Sequence, residues 1–77
     1  MPYAFLVQSD VPSADAPKRV ARYRAGGHPV YALRQPNGSM QLYYGAYETP
    51  QQAALAIPAL RDAKLTPTLV YRIGRVN

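Results

Sequence analysis

With 77 residues, 48% of them apolar and none of them cysteine, the chain has material for one small domain with a core near the lower useful size, and neither a disulfide nor a thiolate metal site can reinforce it. Nine Lys and Arg against four acids give a net charge of +5, a balance that suits an anionic partner such as nucleic acid, lipid or polysaccharide, although no run of like charges exceeds two neighbours. No apolar run approaches membrane-spanning length, and Met1 to Val7 lacks the basic start and apolar core of a signal peptide; strand-like sequence begins at once, which predicts a single domain over residues 1–77 excised from a longer protein.

Tyr3 to Gln8 is rich in aromatic and branched residues and reads as a first strand, broken by Ser9 to Ser13. Ser13 or Asp15 can cap a helix that tolerates Pro17 only in its first turn. Ala16, Val20 and Tyr23 mark one face of that helix, and Gly26-Gly27 stops it in the left-handed conformation. His28 to Arg34 is a second strand. Asn37-Gly38 within Pro36 to Ser39 then signals a hairpin into a third strand, Met40 to Tyr47.

The third strand carries Tyr43, Tyr44 and Tyr47 and runs straight into a helix start. Thr49 suits the N-cap, Pro50 the first helical position and Gln52 the third, a capping box. The second helix is expected from Pro50 to about Ala63, with a kink or early end at Pro58. Thr68 to Ile73 is the fourth strand. Ala53, Ile57 and Leu60 repeat the spacing of Ala16, Val20 and Tyr23, so the two halves echo each other.

The order β-α-β-β-α-β predicts an α+β fold, a ferredoxin-like (RNP-like) split sandwich with a four-stranded antiparallel sheet in the order 4-1-3-2. Right-handed crossovers put both helices on one face and leave the other open. Alternation assigns Phe5, Val7, Val30, Ala32, Leu42, Tyr44 and Ala46 to the helix side. Leu6, Gln8, Tyr31, Leu33, Gln41, Tyr43 and Gly45 then fall on the open side.

Catalytic groupings are absent from the sequence. His28 stands alone before a proline, with no cysteine and no nearby carboxylate, and reads as a surface or loop-packing residue. Asp10, Asp15, Glu48 and Asp62 sit at helix edges or on a helix surface, where acids serve the dipole and not a general acid/base couple. No glycine-rich phosphate loop opens a helix. Neither an enzyme nor a cofactor is expected. A binding surface remains, because six tyrosines in or beside strands are too many for so small a core, each hydroxyl needing a partner. Their rings offer flat apolar faces, and Gln8, Gln41 and Arg72 offer hydrogen bonds beside them.

The residues resemble the SPOR domain, the peptidoglycan-binding module of bacterial envelope and cell-division proteins. Its pattern runs V-Q-x-G-S-F, then a helix with A…L…L…G, then a strand of the type R-V-x-V-G-P-F and a second A…L helix. Val7-Gln8 followed by Ala16, Val20, Tyr23 and Gly27 matches the first half; Leu42, Tyr44-Gly45-Ala46-Tyr47 and then Ala53, Ile57 and Leu60 match the second. Ser9-Asp10-Val11 stands where G-S-F is usual, Ala46 replaces the proline, and Lys64 replaces the glycine that ends the second helix. The resemblance implies a non-catalytic module that binds glycan strands stripped of stem peptides. It also implies a periplasmic or envelope location, with other envelope or division proteins reached through the rest of a longer chain. In such a site Tyr31 and Tyr43 would stack on sugar and Gln8 and Gln41 would bond hydroxyl or acetamido groups. Arg34 or Arg72 would pair the lactyl carboxylate freed by peptide removal, and Tyr47 would flank the site after Gly45.

Two rivals share the expected fold. An RNA-recognition module also uses aromatics on its central strands, but its third strand opens with a basic residue, whereas Gln41 to Tyr47 has no Lys or Arg. A dimerisation module would bury the open face against a second copy.

Overall fold

The structure, a computed structural model, describes residues 2–66 and 68–71. It is an α+β arrangement with strands β1 (Tyr3–Val11), β2 (Val30–Arg34), β3 (Met40–Tyr47) and β4 (Thr68–Tyr71). Its helices are α1 (Ala16–Ala25), α2 (Pro50–Ala54) and α3 (Ile57–Asp62). All pairings are antiparallel, in the order β2-β3-β1-β4, the expected order listed from the other edge.

Ala16, Ala53 and Leu60 from the helices join Phe5, Val11, Val30, Leu42 and Tyr44 from the strands in one buried cluster. The helices therefore pack on the same sheet face. The paired spacing noted in sequence puts an alanine, Ala16 and then Ala53, at a fully buried position of each half. There a larger side chain would hold helix and sheet apart.

The helix ends follow local chemistry. Pro17 sits in the first turn of α1, and Gly27 (φ 86°) closes it: the amide of Gly27 donates to the Arg24 carbonyl and that of His28 to the Tyr23 carbonyl. This pair of bonds satisfies carbonyls that the helix leaves open. At α2 the Thr49 hydroxyl accepts from the Gln52 amide, while the Gln52 side chain accepts from the amide of Glu48, one residue further out than in a standard capping box. The second helix, expected from Pro50 to about Ala63 with a kink or early end at Pro58, is interrupted just before that proline, which cannot donate to a preceding carbonyl. Leu55 and Ala56 form a turn, and Pro58 occupies the first turn of α3. Leu55 on that turn is 83% exposed.

Three irregularities bend the sheet. In β1 an extra residue lies between Leu6 and Gln8 and another between Gln8 and Val11, where Asp10 takes φ 54°. The first strand thus continues past Gln8, where the sequence predicts a break. In β3 the span from Tyr44 to Tyr47 faces only Phe5 to Tyr3, and Gly45 in the left-handed region (φ 71°) absorbs the extra residue. Such bulges shift the in–out alternation beyond them, with direct consequences for the face assignments.

Candidate functional site

Between Val30 and Tyr44 the β2–β3 pairing is regular: Val30 opposes Tyr44, Tyr31 opposes Tyr43, Ala32 opposes Leu42, and Leu33 opposes Gln41. Val30, Tyr44 and Leu42 are buried beneath the helices. Tyr31, Leu33, Gln41 and Tyr43 consequently share the open face, as alternation predicts, and across β1 Leu6 opposes Tyr43. This face is not uniformly solvated. Ala4, outside the core cluster and on the opposite side of β1 from Phe5, is fully buried.

The open-face residues form a built cluster. The rings of Tyr31 and Tyr43 stack with centroids 5.9 Å apart and planes inclined by 25°. The Tyr43 hydroxyl donates to Gln41 Oε1 at 2.5 Å, and the Tyr31 hydroxyl donates to the Gly45 carbonyl at 2.9 Å. Both rings are half-buried. Stacking and these two bonds fix the ring planes before any ligand arrives, so little rotamer freedom remains to be lost on binding.

Three of the other expected site residues, Gln8, Tyr47 and Arg34, lie elsewhere. Gln8 is not on the open face: the bulge after Leu6 turns it toward α1, where its Oε1 accepts from Arg19 at 3.2 Å, while Val7 still packs on the core. Tyr47 is also displaced from its expected place. The extra residue at Gly45 carries its ring onto the core, edge-to-face with Phe5 at 5.8 Å, and over the place where a Gly45 side chain would stand. The same shift exposes Ala46, which alternation puts inside. Arg34 shares the strand side of Ala32, away from Tyr43, and its guanidinium reaches the Gly38 carbonyl of the hairpin at 3.5 Å. Arg72 lies outside the described residues.

A second group gathers where α1 ends. The Arg24 Nε donates to the Val30 carbonyl at 2.8 Å. His28 Nδ1 lies 3.4 Å from the Tyr44 hydroxyl, with ring centroids 5.8 Å apart. Burial pushes the Tyr44 phenol above its ordinary value. Burial does the same to Tyr47, with the neighbouring Tyr44 and Tyr31 phenols adding to it. A cavity of about 570 Å³ opens here, lined by Arg24, His28, Pro29, Tyr31 and Ala46 among others. This gathering is not visible in the spacing of the sequence. The one available signal was the Gly26-Gly27 helix stop, which fixes where His28 must emerge.

Among the described residues no three His, Asp or Glu side chains approach closely enough to hold a metal ion, and no helix is long and apolar enough to cross a membrane. No family model, curated protein or solved structure matches the chain.

Proposed function

We propose that the chain is a non-catalytic binding module of the ferredoxin-like split type, which holds peptidoglycan glycan strands stripped of stem peptides on its open sheet face, in the manner of a SPOR domain. The observation that carries this reading is the stacked Tyr31–Tyr43 pair with Gln41 fixed beside it, on the face the helices leave free. Sugar rings present C–H faces suited to lying on such a platform, and amide and hydroxyl groups at its rim suit sugar hydroxyl and acetamido groups. The reading places the module in the periplasm or envelope of a bacterium, as part of a longer protein.

Two observations weigh against single-stranded RNA. The stack joins the edge strand β2 to β3, and the residue facing Tyr43 from β1 is Leu6, not an aromatic. Leu33, 40% exposed beside Gln41, favours instead the rival in which two copies meet face to face; light scattering would show that as a tight dimer.

Co-sedimentation with amidase-treated and intact sacculi tests the proposal. Treated sacculi are expected to retain the protein and intact sacculi to release it, and Tyr43→Ala is expected to weaken retention by roughly tenfold. Equal retention by both preparations overturns the ligand. Unchanged retention of Tyr43→Ala overturns the face.

A further inference from the structure

The open face lacks a described cation, yet the ligand proposed for it is an anion. We infer that carboxylates are recognised beside that face, in the groove between α1 and the edge strand β2, by Arg24 and Arg34, with His28 at its far end. The inference rests on the glycan reading above and specifies which surface reads the charge.

Two cavities lie along this edge. One, of about 420 Å³, runs between α1 and β2 and is lined by Val20, Arg24, Tyr31, Arg34 and Met40 among others. The second is the cavity of about 570 Å³ that holds Arg24 and His28. Arg24 and Tyr31 line both, so the two adjoin at those residues. Among the described residues no Asp or Glu lines either cavity. The basic groups of this edge therefore face an opening with no fixed counter-charge.

Placement supports a recognition role for Arg24. Its Nε is held by the Val30 carbonyl, which orients the guanidinium at the strand edge and leaves its terminal nitrogens for a second partner. An arginine anchored through Nε in this way is suited to charge-assisted bonds to a carboxylate at low entropic cost. Arg19 differs: it is engaged by Asp15 at 3.6 Å and by Gln8 at 3.2 Å and lines neither cavity. Tyr31 is the link between the surfaces. It stacks on Tyr43 and also lines both cavities, so a chain of sugars lying on the pair continues over the strand edge into the basic groove. The ligand class is an acidic polysaccharide with a carboxylate on alternate sugars.

The test uses peptide-free glycan oligomers and the same oligomers with their carboxylates reduced to alcohols, binding to each being followed by calorimetry. Wild type is expected to bind the acidic oligomers about tenfold or more tightly than the reduced ones, the scale of one charge-assisted bond. Arg24→Gln and Arg34→Gln are expected to remove that difference while binding the reduced oligomers as wild type does. Arg34→Gln alters an exposed side chain and remains informative should Arg24→Gln perturb the fold. Equal binding of acidic and reduced oligomers by wild type overturns the inference, as does an equal loss for both oligomers in the arginine variants. Loss on Tyr43→Ala without any arginine-dependent discrimination leaves the sheet-face reading standing and the groove refuted. Arginine-dependent discrimination with no effect of Tyr43→Ala refutes the sheet face and keeps the groove. Tighter arginine-dependent binding of an RNA oligonucleotide than of the acidic glycan overturns the carboxylate assignment, and no binding of any glycan overturns both.

Discussion

Gly45 shows how one residue sets the geometry of a whole site. Its φ of 71° lies in the left-handed region that glycine enters without steric cost, and the Tyr47 ring occupies the space where a side chain would go. Gly45→Ala therefore meets two penalties, a left-handed backbone costing about 1–2 kcal/mol and a collision with Tyr47. A loss above about 2 kcal/mol is expected in urea unfolding. Part of it should return on adding Tyr47→Ala, a non-additivity that a double-mutant cycle would read. The phenols around Gly45 also give the protein an alkaline limit. Tyr44 and Tyr47 hold their protons more tightly folded than unfolded, chiefly through burial. Below the ordinary phenol value both states are protonated and this contribution to stability is complete. As pH rises past 10.0 the unfolded chain ionises first, and stability falls as the folded phenols follow. Thermal melts across that range are expected to show the decline, and tyrosinate absorbance should show two phenols titrating late.

Among the elements, the helix pair α2–α3, interrupted close to the proline where a kink is expected, suggests a simple improvement. After α3, the Lys64 amide donates to the Arg61 carbonyl and the Leu65 amide to the Leu60 carbonyl, the pattern that Gly27 and His28 make after α1. The first terminus uses glycine in the left-handed position; the second uses Lys64 at φ 61°. Lys64→Gly keeps both bonds and removes the steric cost of a Cβ there. A gain of about 1 kcal/mol is expected, and with it a Tm higher by roughly 4–8 °C. A lower Tm would mean that the Lys64 stem contributes more by packing than its backbone costs.

For the whole molecule the governing fact is the small core. Among the described residues the largest fully buried side chains are Phe5, Leu42, Leu60, Val11 and Val30, and both sheet and helices depend on them. A chain of this length has about 4–12 kcal/mol of stability at ~0.05–0.15 kcal/mol per residue. Leu42→Ala should remove about 2–5 kcal/mol of that. Urea unfolding is expected to show Leu42→Ala less stable by that amount, whereas Tyr43→Ala, one residue on and facing the other way, should stay closer to wild type. That contrast separates the fold's requirements from the binding face's.

Elements and pairing could be read from the sequence because they are encoded locally: strand-forming runs, Gly26-Gly27 after α1, Asn37-Gly38 between β2 and β3, and Thr49-Pro50 before α2. Where pairing is regular, as from Val30 to Tyr44, alternation alone put Tyr31, Gln41 and Tyr43 together on one face. Gln8, Ala46 and Tyr47 could not be placed this way, because each follows a bulge. A bulge arises from the match between two strands distant in sequence, and one extra residue reverses every assignment beyond it. The grouping of Arg24, Arg34 and His28 along one edge likewise exists only because α1 packs beside β2. The sequence by itself determined which segments form and which side chains a regular strand presents. The tertiary structure alone decided where regularity stops and which charges share a groove, since both depend on contacts between segments that no local pattern contains.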